Sequence, residues 1–129
     1  MIDSDIKQLA SGPNFAVLTT ILPGGQPQAH VMWVDCDDDH VLINTEIHRQ
    51  KFRNVQRDPR VTLAIWDQQN PYKFVEVRGR VEETVGGQTA RDHIDSLSMK
   101  YHGKPYSEKA IQSERVILRI SPTRKVARG

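Results

Sequence analysis

The apolar positions of this chain change period several times, and each change marks an element. Ile2, Ile6 and Leu9 share one helical face, Ser4 is the expected N-cap, and Gly12-Pro13 stops the pattern, so a short helix leads the chain. Residues 14–20 and 27–35 then read as strands. Leu22-Pro23-Gly24-Gly25 between them is a turn, which makes the pair a hairpin. Asp37-Asp38-Asp39 marks the next reversal, and residues 40–45 form a third strand. Phe52 and Val55 recur at helical spacing, which predicts a short helix over 49–57, ended by Asp58-Pro59.

Extended structure resumes over 61–67, and Gln68-Gln69-Asn70-Pro71 reads as a loop. Residues 73–83 alternate clearly: Val75, Val77 and Val81 lie on one face, Glu76, Arg78, Arg80 and Glu82 on the other, as in a half-solvated sheet. Gly86-Gly87 introduces a helix over 88–101 whose stripe is Ala90, Ile94, Leu97 and Tyr101, with Gly103 as its stop. A last strand covers 115–120, and from Pro122 onward the chain reads as a basic tail without a packing pattern. Six short strands with mostly hairpin-length connections favour an antiparallel barrel over a parallel sheet, which needs a helix after nearly every strand. The expected class is mainly β with accessory helices.

A length of 129 residues fits one domain spanning 1–129. Eighteen Lys and Arg against sixteen Asp and Glu leave a formal charge of +2, too small to argue for nucleic acid, so any basic function is local. The lone Cys36 has no internal disulfide partner, no apolar run approaches a membrane span, and the acidic amino terminus lacks a secretory pattern; a cytoplasmic protein without membrane contact is expected. The five histidines show no ligand spacing, so no metal is expected. No nucleophile elbow, phosphate loop or paired-acid pattern is present either.

Two segments carry candidate chemistry. From Asn44 through Thr45, Glu46, Arg49, Gln50, Lys51 and Arg53 to Asn54, a strand end leads by a short loop into a helix start bearing three cations, where unpaired amides with Arg49 and Lys51 suit a phosphate. Arg49, Arg53 and Arg57 equally suit a solvated helix face, and spacing does not choose between the two. In the run ending Met32-Trp33-Val34-Asp35, Met32 and Trp33 could line a flat apolar slot for a conjugated ring, or simply pack a core; the same alternatives hold for Trp66 and Tyr72.

Phe15-Ala16-Val17-Leu18-Thr19-Thr20, then Gly25-Gln26-Pro27-Gln28 and Met32-Trp33-Val34-Asp35, resemble the opening hairpin of pyridoxamine 5′-phosphate oxidase-like proteins. The resemblance continues in order through Arg49-Gln50-Lys51-Phe52-Arg53-Asn54-Val55, Arg57-Asp58-Pro59-Arg60-Val61 and Val75-Glu76-Val77-Arg78-Gly79-Arg80-Val81, and so covers most of the chain. Ile94-Asp95-Ser96-Leu97 and Lys100-Tyr101-His102-Gly103-Lys104-Pro105-Tyr106 are similar to the actinobacterial branch that uses the deazaflavin coenzyme F-420.

This resemblance implies a six-stranded split β-barrel of the FMN-binding-protein type, paired as a homodimer with cofactor sites at the interface. Matched by position, Arg49, Gln50 and Lys51 would anchor a cofactor phosphate, with Thr45 and Asn54 beside them. Met32, Trp33 and Val34 would run along the ring system, and Trp66 and Tyr72 would close the site from the partner. The implied activity is hydride transfer between reduced coenzyme F-420 and a small electron-poor organic substrate. The alternatives are an FMN-dependent pyridoxamine 5′-phosphate oxidase-like enzyme and a non-catalytic deazaflavin-binding or storage protein. No catalytic side chain is evident; His30 is one conceivable proton source.

Overall fold

The computed structural model describes residues 1–128. Helix α1 spans Ser4–Ser11 and buries Ile6, Leu9 and Ala10. Its N-cap is Asp3 rather than Ser4: the Asp3 carboxylate accepts from the Asp5 amide at 2.8 Å. Strands β1 (Phe15–Ile21) and β2 (Pro27–Trp33) form the expected hairpin. The turn between them needs a left-handed residue, and Gly25 supplies it at φ 91°, donating to Leu22 O at 2.8 Å.

The expected strand over 27–35 is broken at Val34, leaving β3 as the two residues Asp35–Cys36 and raising the strand count to seven. Side chains take the place of a ladder at the break: the Val34 amide donates to Tyr101 Oη at 3.0 Å, and Lys100 Nζ donates to Val34 O at 2.6 Å. Strand β4 (Val41–Glu46) leads into α2 (Gln50–Arg57), which buries Phe52 and Val55. Then come β5 (Arg60–Asp67), β6 (Asn70–Val85) and α3 (Gly87–His102). Gly103, at φ 75°, caps α3 by donating to Ser98 O and Met99 O.

Strand β7 runs over Arg115–Arg128, so the expected loose tail is in fact the second half of a strand. It pairs with β6 from Phe74↔Arg128 to Val85↔Ile117, with bulges on the way that bend both strands. At one bulge the two backbones close so tightly that a Cβ on Gly79 would sit 2.4 Å from Ser121 O. The second half of β7 lacks the apolar alternation of the first, so its polar side chains conceal this strand in the sequence.

All pairings are antiparallel, in the order β2-β1-β5-β6-β7-β4-β3. The two edge strands, β2 and β3, are consecutive in the chain and separated by the single residue Val34. A sheet whose two edges are one residue apart in sequence has to roll up, which makes it a barrel with a split between β2 and β4. Inside lie Ala16, Leu18, Val34, Ile43, Leu63, Ile65, Val77, Leu118 and Ile120, covered by α1 and α2. Helix α3 packs outside, setting Ala90, Ile94 and Leu97 against β4 and β7. Of the stripe expected for that helix, Ala90, Ile94 and Leu97 are buried and Tyr101 is half-buried, while Ser98 is buried as well. No helix among the described residues is long and apolar enough to cross a membrane.

Candidate functional site

The split in the barrel opens into a cleft of about 720 Å3, within the usual range for small-ligand sites. One wall is β2, with His30, Val31, Met32 and Trp33; the other is the end of β4, with Asn44, Thr45 and Glu46. Arg49 and Lys51, at the start of α2, close one end. The end of α3 and the segment after it supply Ser98, His102, Lys104 and Tyr106, and Arg115 enters from β7.

Burial drives the electrostatics here. Lys51 is only 8 % exposed, yet no carboxylate among the described residues pairs with it. Desolvation, then the charges of Arg49 and Arg115, push its ammonium below the usual lysine range. His30, though exposed, is also held low, by partial desolvation first and then by the charges of Lys51 and Arg49. Arg49 is also free of a carboxylate among the described residues, and the amides of Gln50 and Lys51 in the first turn of α2 have no acceptor there. Cations gathered without counter-ions repel one another and are stabilised by an added anion.

The apolar side is equally well fixed. Trp33 stacks on Tyr101, centroids 4.9 Å apart and planes 5° apart, with His102 and Tyr106 edge-on. Tyr101 is itself anchored: its hydroxyl donates to Asn14 O, and burial pushes its pKa up to about 12. Behind Glu46, and outside the cleft lining, His48 Nδ1 lies 2.5 Å from Ser113 Oγ and 3.2 Å from Glu46 Oε2. Both neighbours share one ring nitrogen, so the trio lacks the geometry of an activated serine, which needs its base and orienting acid on opposite nitrogens.

Of the residues expected from sequence, Met32, Trp33, Thr45, Arg49 and Lys51 meet in the cleft. Val34, Gln50 and Asn54 do not reach it. Val34 is core. Asn54 is fully buried, donating to Thr20 Oγ1 and Gln28 Oε1 and accepting from Gln50, so it braces α2 against the β1–β2 hairpin. Trp66 packs on Phe15 outside the cleft, and Tyr72 is 82 % exposed near the β5–β6 turn. Asn44, Glu46, Ser98 and Arg115 also line the cleft, outside the set of binding residues expected from sequence. Asn44 and Glu46 fall within the basic segment 44–54 and the α3 end of the site falls near segment 100–106, whereas nothing local marks Arg115.

The model of the pyridoxamine 5′-phosphate oxidase family matches residues 2–126. The chain belongs to the pyridoxamine 5′-phosphate oxidase family. Among solved structures, one described as an F-420 reductase is 32 % identical, with a TM-score of 0.83 over 97 % of this chain and 98 % of that one. A conserved hypothetical protein of Mycobacterium tuberculosis is 28 % identical, with a TM-score of 0.75 over 97 % and 82 %. A heme storage protein of Vibrio cholerae shares the fold at 13 % identity, with a TM-score of 0.66 over 98 % and 94 %, so this family fold alone does not name a ligand. No curated protein matches.

Proposed function

We propose that this family member binds coenzyme F-420 in the cleft and transfers a hydride between it and a small electron-poor organic substrate. The observation that carries the reading is the uncompensated pair Arg49 and Lys51 beside the Met32–Trp33 wall: an anion site joined to an apolar slot. A phosphorylated conjugated ring fits that donor set, and the full-length likeness to an F-420 reductase favours the deazaflavin. When bound, the reduced cofactor supplies the hydride, and the protein supplies binding, orientation and exclusion of water.

The chain's own residues divide that work. Arg49 and Lys51 hold the phosphate with the first-turn amides of α2, while Thr45 lies beside them at the end of β4. Met32 and Trp33 exclude water along the ring, and Tyr101 keeps the indole of Trp33 flat. Asn54 and Gln50 fix the direction of α2 rather than touching the ligand. Trp66 and Tyr72 act from the partner in a homodimer that pairs through the exposed side of β2, where Val31 is 64 % exposed.

The family description equally favours FMN, on the same phosphate residues. Fluorescence titration of the cofactor-free protein with coenzyme F-420 and with FMN separates the two. Tight F-420 binding with weak FMN binding is expected; the reverse makes this an FMN oxidase-like protein, and binding of neither overturns the cofactor reading. Tight binding without reduction of any electron-poor acceptor would leave a storage role instead.

A further inference from the structure

Arg49 and Lys51 reach the cleft on otherwise unattached side chains, but Arg115 is gripped. It begins β7 directly opposite Glu46 in the ladder, and its side chain is only a tenth exposed. Its Nε donates to Asn44 Oδ1 at 2.8 Å, its Nη1 pairs with Glu46 Oε1 at 3.3 Å, and its guanidinium lies 5.3 Å from the Tyr106 ring centre. Nη2 has no acceptor among the described residues, in a residue that lines the cleft.

Behind that grip runs a line of hydrogen bonds with one polarity. Both amide protons of Asn44 are committed, one to Ala90 O and one to His93 Nδ1, each at 3.0 Å. Its carbonyl therefore has to face Arg115. Because His93 Nδ1 accepts, its proton sits on Nε2, which donates to Asp35 Oδ2 at 3.0 Å. Burial raises the Asp35 pKa more than any other single effect, but the bonds from His93 and the Cys36 amide together with the nearby charges of Lys100 and His93 outweigh it, so the carboxyl stays below its ordinary range and remains an acceptor. Arg115 donates to Asn44, Asn44 to His93 and His93 to Asp35. Turning the Asn44 amide over would oppose two donors at Arg115 and strand Ala90 O.

We propose that Arg115 is a further anion-holding residue of the cleft, and that His93 is a positioning residue that fixes its direction through the Asn44 amide. The ligand group is a phosphate or carboxylate. The inference rests on the anion-binding reading of the cleft and not on which cofactor brings the anion.

Nitrogen-15 spectra and titrations with inorganic phosphate and with coenzyme F-420 test it. In the wild-type protein the Arg115 Nε–H signal is expected to be protected from exchange. Arg115→Gln is expected to weaken both probes about tenfold, the scale of a charge-assisted hydrogen bond. His93→Phe is expected to lose the protected signal and weaken both probes about threefold to tenfold. His93→Gln keeps one acceptor and one donor at the tip and is expected to recover most of the loss. Should His93→Phe fail to fold, Asp35→Ala, at the outer end of the line, is expected to weaken binding in the same direction.

Unchanged affinity in Arg115→Gln overturns the first half. Wild-type affinity in His93→Phe or in Asp35→Ala, or a His93→Gln as deficient as His93→Phe, overturns the second. Protein that binds phosphate but neither F-420 nor FMN leaves this inference standing while the cofactor reading falls; protein that binds no phosphate and no coenzyme overturns both.

Discussion

Lys51 shows how a single residue can serve a site at a cost to the fold. It is buried in the first turn of α2, its ammonium is desolvated and repelled by Arg49 and Arg115, and no carboxylate among the described residues pairs with it; of these three cations only Arg115 has an acidic partner there, Glu46. A buried charge of this kind opposes folding until an anion arrives. Replacing it by an apolar side chain of similar length should therefore act in opposite directions on stability and binding. Lys51→Met is expected to raise the stability of the ligand-free protein by about 0.5–2 kcal/mol, the range of ordinary stabilising substitutions, while weakening phosphate binding about tenfold. Thermal melts with and without phosphate read both signs in one experiment. A variant that melts lower and binds normally would show that Lys51 is structural. The cation cluster of 49–51 was legible in the sequence; its freedom from counter-ions was not, because that depends on which acids the fold leaves out of reach.

Among the elements, β7 is where local pattern and structure part most clearly. Alternation was plain in the first half, where Val116, Leu118 and Ile120 point inward, and vanished after Pro122, where the residues are mostly basic or small. The second half is a strand because β6 offers it a ladder, and because Lys125 Nζ ties it to Asp3 and Asp5 of the α1 cap at 2.9 and 3.0 Å. Removing residues 122–129 is expected to expose the edge of β6 and lower the denaturation midpoint markedly, with a gain in aggregation measured by light scattering. A loose tail would be removed without effect. The break at Val34 has a similar origin: its residues favour a strand, but Tyr101 and Lys100, far along the chain, take the hydrogen bonds a neighbouring strand would have used.

At the scale of the whole molecule, one rolled sheet and one split decide where chemistry can occur. Strand β2 is an edge with little cover, and apolar Val31 on it faces solvent in the isolated chain. If homodimer pairing covers this edge, Val31→Glu is expected to shift the protein from dimer to monomer in sedimentation velocity while leaving its far-ultraviolet dichroism unchanged. A wild-type protein that sediments as a monomer would remove the homodimer and, with it, the roles given to Trp66 and Tyr72.

The sequence by itself determined the class, the order of the elements, the α3 stripe and the basic start of α2, because each follows from spacing within a few residues. Family membership was legible in the ordered run of segments. Only the tertiary structure decided that β2 and β4 flank an opening, that Asn44 and Arg115 meet across two strands, and that Asn54 braces a helix instead of facing a ligand. The opening follows from closure of a sheet whose edges are joined by one residue, the Asn44–Arg115 contact from the direct pairing of β4 with β7, and the Asn54 brace from packing of α2 on the hairpin; none of these side chains is related by a local pattern.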